Sequence, residues 1–311
     1  MSIASNVLEA IGNTPLVQLQ RVVPAGHARV LVKLESTNPT GSMKDRMAIA
    51  VIERAESDGR LPPGGTVVEY SGGSTGTSLA LVCAAKAYRI RIVTSDAFSQ
   101  EKRAHMRALG ADLTEVPSEG GRITKELIER MIERADQISE EPGTFYSDQL
   151  QNEDAIAGYY PLGEEIWSQT GGSVDAFIQV VGTAHSIEGT ATVLRSYNPD
   201  LQVVAVEPAE SPVLSGGVPG AHKIEGIGLG FIPPLWKGSI ADEIMTVSTK
   251  EAKSMARQLA SHEALFAGTS SGASVVAAIR MAKRLGPGHT VVTLLVDSGL
   301  KYLTTDLYTS S

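Results

Sequence analysis

The sequence is poor in cysteine and in any grouping of metal-binding side chains. A single cysteine, Cys83, stands among 311 residues, so no disulfide can close within the chain. It lies in the apolar run SLALVCAAKA, where a buried, inert thiol is expected rather than a nucleophile. The six histidines form no close pair with metal-ligand spacing; His105, in EKRAHMRALG, reads as a surface residue, and no metal site is expected. A basic excess is also missing. The formal net charge of -8 argues against nucleic acid or an anionic membrane as partner. No run of about 18 apolar residues is present to span a bilayer. The segment MSIASNVLEAIGNTPLVQL lacks the basic start and long apolar stretch of a signal peptide, so a cytoplasmic protein is expected. Neither G-x-G-x-x-G nor G-x-x-x-x-G-K-[ST] occurs, which leaves dinucleotides and nucleoside triphosphates poorly supported.

What the chain does contain is an alternation of β-rich and helical segments. VLVKLES (30–36), TVVEYS (66–71), RIRIVTS (89–95), DLTEVP (112–117), VDAFIQVVG (174–182), LQVVAVEP (201–208) and TVVTLLVD (290–297) read as strands. Helical patterns lie between them, among them MAIAVIERAESDGRL, TSLALVCAAKAY, SQEKRAHMRALG, SIEGTATVLRSY, TKEAKSMARQLASHEA and SGASVVAAIRMAKRLG. Strands joined through helices imply crossover units and mostly parallel sheets covered on both faces. GFIPPLWKGS interrupts the alternation and reads as a loop. Two α/β lobes are expected.

Ligands in open α/β sheets gather where a strand ends and the next helix offers free backbone N–H groups. Three glycine- and serine-rich turns, read as strand-to-helix turns, fit that description: EYSGGSTGTS, VVGTAHSIEGT and FAGTSSGAS. A fourth feature is NPTGSMKDRMA (38–48), which places Lys44 where a loop becomes a helix, an end that already carries partial positive charge. Together these suggest an anionic cofactor held by neutral donors beside a reactive lysine.

The chain resembles the cysteine synthase (O-acetylserine sulfhydrylase) and cystathionine β-synthase family. IGNTPLV, NPTGSMKDR, GGSTG, GTAHSIEG, AVEP, SPVLSGG, HKIEGIGLGFIP, GTSSGA and KYLTT occur in the family's order over nearly the whole length. The resemblance implies a fold-type II pyridoxal-phosphate enzyme of the tryptophan synthase β-like class, with two lobes, each a twisted, mostly parallel sheet flanked by helices. Residues 1–40 and 150–311 would form the larger, cofactor-binding lobe, and 41–149 a smaller mobile lobe. Lys44 would form the Schiff base, and a lysine near a helix N-terminus should have a lowered pKa. Gly182, Thr183, Ala184, His185 and Ser186 would hold the phosphate, and Ser270 would face the pyridine nitrogen. Ser71, Gly72, Gly73, Ser74 and Thr75 would bind the substrate α-carboxylate, with Gln149 and Gly226 also on the substrate.

Three departures accompany the resemblance. Ser74 stands where the family usually has the asparagine that contacts the cofactor's phenolic oxygen. Ala184 and His185 replace two glycines of the phosphate turn, and His185 is either a phosphate ligand or a residue pointing away. The family's Q-F-x-N-P segment is not recognisable near FYSDQLQNED, where Gln149 stands in for its glutamine. The implied activity is replacement at the β-carbon of O-acetyl-L-serine, or a similar serine derivative, by sulfide, through an aminoacrylate, to give L-cysteine. Cysteine desulfhydration to sulfide, pyruvate and ammonia, cystathionine β-synthase-type replacement, and a non-catalytic ligand-binding protein of the same fold are the alternatives. A homodimer is the expected assembly.

Overall fold

The structure is a computed structural model and describes residues 3–309. In chain order its elements are β1 (Leu16–Gln18), β2 (Arg29–Lys33), α1 (Lys44–Ser57), β3 (Thr66–Tyr70), α2 (Ser74–Lys86), β4 (Arg89–Ser95), α3 (Gln100–Ala108) and β5 (Asp112–Val116). Then come α4 (Lys125–Ser139), β6 (Thr144–Tyr146), α5 (Asp154–Ala157), α6 (Tyr160–Thr170), β7 (Ala176–Val180) and α7 (His185–Tyr197). The chain closes with β8 (Gln202–Pro208), β9 (Glu243–Val247), α8 (Thr249–Glu263), α9 (Thr269–Leu285) and β10 (Thr290–Leu294). Two compact units result.

The smaller unit is Asn38–Gly158 with the N-terminal segment up to Ile11. Its sheet is all parallel, in the order β5-β4-β3-β6. Central β3, TVVEY, is buried at every position, as a strand covered on both faces must be. Edge strand β5 is exposed or half-buried along its length. Helix α4 buries Leu127, Met131, Ala135 and Ile138, one stripe at helical spacing.

The larger unit, Gly12–Thr37 with the chain from Tyr159 onward, has the sheet order β1-β2-β10-β7-β8-β9. All neighbours are parallel except the antiparallel edge pair β1–β2. Strands β7 and β10, AFIQV and TVVTL, are buried throughout. Helices α8 and α9 pack closely because Gly272 permits it: a Cβ there would lie 2.1 Å from the Ala252 carbonyl oxygen and 2.9 Å from the Ala256 nitrogen. Residues 230–239 form the expected loop. Among the described residues no helix is long and apolar enough to cross a membrane.

Replacing Gly272 with alanine should force α8 and α9 apart and cost about 1–3 kcal/mol in urea unfolding. Wild-type stability in that variant would show that close helix packing is not what requires this glycine.

Candidate active site

Each unit carries part of the predicted site. In the smaller unit Lys44 is the first residue of α1 and is half-buried. The loop before it is braced by its neighbour Asp45, whose carboxylate accepts from the Thr40 N–H at 2.8 Å and the Thr40 hydroxyl at 2.5 Å. The Lys44 N–H donates to the Ser42 hydroxyl at 3.2 Å. The Thr40 oxygen also lies 3.3 Å from Ser78 Oγ, which ties the lysine loop to α2. Charge beside Lys44 therefore serves to fix where the lysine emerges.

The segment Ser71–Thr75 follows β3 and enters α2. The Ser71 hydroxyl is used inside the turn, accepting from the N–H groups of Gly73 at 3.0 Å and Gly76 at 2.9 Å. Thr75 Oγ1 donates to Gln149 Oε1 at 2.8 Å, and Gln149 Nε2 donates to the Tyr70 carbonyl at 2.8 Å. The structure thus brings Gln149 to the loop across the sheet end. Ser74 is half-buried at the first position of α2. The Phe98 ring occupies the space a side chain at Gly72 would need, 2.3 Å from an ideal Cβ; nothing in the sequence singled out this phenylalanine. Cys83 is fully buried on α2, and burial pushes its thiol up to about 12, away from nucleophile chemistry.

In the larger unit the turn 182–186 joins β7 to α7. A Cβ at Gly182 would lie 2.4 Å from the Gly226 carbonyl oxygen, so Gly182 and Gly226 are in contact and the first position must stay bare. Ala184 is the N-cap of α7, in the left-handed conformation at φ 70°. His185 is fully buried, and its Nδ1 lies 3.0 Å from Thr183 Oγ1. Ser186 Oγ accepts from Gln179 Nε2 at 3.2 Å. Ser270 is buried in the first turn of α9. Beside it, Ser271 Oγ accepts from the Val296 N–H at 3.0 Å and anchors the helix start. The third glycine-rich turn departs from expectation: it follows α8, which ends at Ala264 in the left-handed conformation, and not a strand.

Helix starts differ in how their free N–H groups are met. α3, α4 and α8 are capped by the side chains of Ser99, Thr124 and Ser248, the last in a capping box with Glu251. α1, α2, α5, α6, α7 and α9 have no side-chain cap, and of these α2, α7 and α9 open on the glycine-rich turns. At α7 and α9 the glycine-rich turn and the uncapped helix start together suit an anion or a polar ligand group. Among the described residues no cluster of His, Cys, Asp and Glu could hold a metal ion.

Comparison with known proteins shows the family. The family model described as "Pyridoxal-phosphate dependent enzyme" matches residues 7–297. A cysteine synthase of Staphylococcus aureus is 44% identical over 306 residues, 97% of this chain and 96% of the relative. The solved cysteine synthase of Entamoeba histolytica superposes with a TM-score of 0.91 at 36% identity, covering 100% of this chain and 92% of that one. The O-acetylserine dependent cystathionine beta-synthase from Helicobacter pylori does so with a TM-score of 0.92 at 35% identity, covering 99% and 100%. The chain belongs to the pyridoxal-phosphate dependent enzyme family, and its α/β architecture is the fold-type II arrangement.

The residues present fit pyridoxal phosphate. The uncapped start of α7, two hydroxyls at Thr183 and Ser186, and a bare Gly182 against the Gly226 carbonyl make a donor set suited to a phosphate.

Ala184 holds a conformation that costs a residue with a Cβ about 1–2 kcal/mol. Ala184→Gly should leave urea stability unchanged or raise it, while Ala184→Val should lower it by more than about 1 kcal/mol. Equal stability of alanine, glycine and valine here would show that the turn does not demand the left-handed conformation.

Proposed function

We propose that the chain is a cysteine synthase, converting O-acetyl-L-serine and sulfide to L-cysteine and acetate. The observation that carries the reading is the loop at the start of α2, where Thr75 and Gln149 are hydrogen-bonded to one another beside backbone N–H groups. Such a loop suits the α-carboxylate of an amino acid, and the 44% identity to a cysteine synthase names the amino acid class.

In this reading Lys44 would hold the cofactor through its amine, and the same amine would serve as the base for the proton on the substrate α-carbon. When bound, pyridoxal phosphate supplies the electron sink that makes this proton acidic. Gly182, Thr183, Ala184 and Ser186 would hold the phosphate through N–H and hydroxyl groups. His185 acts through Thr183, orienting its hydroxyl. Ser270 would offer the ring nitrogen a neutral hydroxyl, which would temper the sink and favour loss of the β-substituent over transamination. Ser71, Gly72, Gly73, Ser74 and Thr75 take the carboxylate, with Gln149 and Gly226 completing substrate contact. The smaller unit would move on substrate binding, and the enzyme would work as a cytoplasmic homodimer. The similarity to the Helicobacter pylori enzyme supports a second reading, in which a larger thiol replaces sulfide after the same first half-reaction.

The test is an initial-rate comparison of sulfide and homocysteine with O-acetyl-L-serine. Cysteine formation should dominate; faster cystathionine formation would select the second reading, and neither product would reject both. Borohydride should fix the cofactor to the peptide containing Lys44, and Lys44→Ala should lose both the fixation and product formation. A fixed cofactor on another lysine would refute the assignment.

A further inference from the structure

Glu69 has no part in the chemistry above, yet it is the fourth residue of β3 and is completely buried. A buried carboxylate needs partners to offset its desolvation. Its Oε1 accepts the Tyr70 N–H at 2.9 Å, and its Oε2 accepts the Ser147 hydroxyl at 2.7 Å and the Gln149 N–H at 3.0 Å. No lysine or arginine among the described residues pairs with it. Gln149, gripped at its backbone by Glu69, holds Thr75 with its side chain. Between Ser147 and Gln149 lies Asp148 at φ 41°, a strained conformation held from both sides.

We infer that Glu69 is a positioning residue for the substrate carboxylate: it fixes Gln149 against Thr75, and its proton sets the charge behind the loop. This rests on reading Ser71–Thr75 as the carboxylate loop. Ser147 makes the two charge states interchangeable. Its Oγ lies 2.7 Å from Glu69 Oε2 and 3.2 Å from the Val68 carbonyl. With Glu69 ionised, Ser147 donates to it. With Glu69 protonated, the carboxyl donates to Ser147 Oγ, and the serine proton turns to Val68. Every partner is kept in either state, so the loop stays assembled while its charge changes.

The surroundings favour the proton. Burial, first, and then the Asp148 charge push the Glu69 carboxyl up to about 8, against the opposing hydrogen bonds from Ser147, Gln149 and Tyr70. Tyr70 on β3 and Tyr146 on β6 are the neighbouring phenols, and Asp136 of α4 acts on Asp148 and Tyr146. On β4, Arg91 is engaged with Glu141 and Asp112. On α2 the titratable residues are Cys83, which is buried, and Lys86, which pairs with Glu56. Above about pH 8 an anion forms behind a loop that must hold another anion.

The experiment measures the inhibition constant of propionate against O-acetyl-L-serine for the holoenzyme between about pH 6.5 and about pH 9. Propionate stays ionised over that range and has no amine to titrate. For the wild type the constant should rise about threefold to tenfold across a midpoint near pH 8. In Glu69→Gln, with normal cofactor content and melting temperature, it should be flat. Ser147→Ala, which keeps the carboxyl but removes a donor to its ionised form, should move the midpoint to higher pH. That variant carries the test if the glutamine variant does not fold. A flat wild-type profile, or one that persists in Glu69→Gln, overturns the role of Glu69 alone, provided Thr75→Val abolishes propionate competition. If propionate never competes, the carboxylate-loop reading falls, and this inference with it.

Discussion

An α-helix begins with N–H groups that have no partner within the helix, and a protein must give them one or leave them for a ligand. This chain does both. α3, α4 and α8 satisfy themselves with a serine or threonine one residue outside the helix. α7 and α9, like α1, α2, α5 and α6, have no such cap, and both open on motif turns. Other features follow from keeping those ends accessible. Gly182 is bare because the Gly226 carbonyl is already against it, and Ala184 accepts a costly backbone conformation to aim the turn.

In the smaller unit the same need is met by turning side chains inward. Ser71 spends its oxygen on two N–H groups of its own turn, Asp45 clamps Thr40 ahead of Lys44, and Gln149 spans Tyr70 and Thr75. These groups hold the shape of the loops and need not touch a ligand to matter. Their bonds are short, buried and mutually dependent, so loss of one leaves its partner unsatisfied at a cost of about 1–3 kcal/mol.

Much of this was legible from residues alone, for identifiable reasons. Strands such as TVVEY and TVVTL are apolar enough to require cover on both faces, and the parallel sheets followed. The turn before α7 was marked by its glycine and small polar residues between a strand and a helix. The turn before α9 was misread because LFA (265–267) resembles a strand end; it is the exit of α8, and only Ala267 makes an isolated bridge, to Ser298. Helix α4 was not singled out although its stripe at Leu127, Met131 and Ala135 is regular. Glu69 was visible as a charge within an apolar strand. Its meaning was not, because Ser147 and Gln149 lie 78 and 80 residues away. The roles of Lys44 and Ser270 came from family resemblance, since a helix-start lysine or serine has no unique chemistry of its own.

The central proposal is that the glycine-rich turn and uncapped start of α7 would hold the cofactor's phosphate as a dianion. Phosphorus-31 NMR of the holoenzyme tests it directly. A phosphate ester in water takes up its second proton near about pH 6, whereas one held by N–H groups at a helix start keeps its charge. A chemical shift fixed at the dianion position from about pH 5.5 to about pH 8.5 is expected. A shift that titrates near about pH 6, as for the free cofactor, would contradict it.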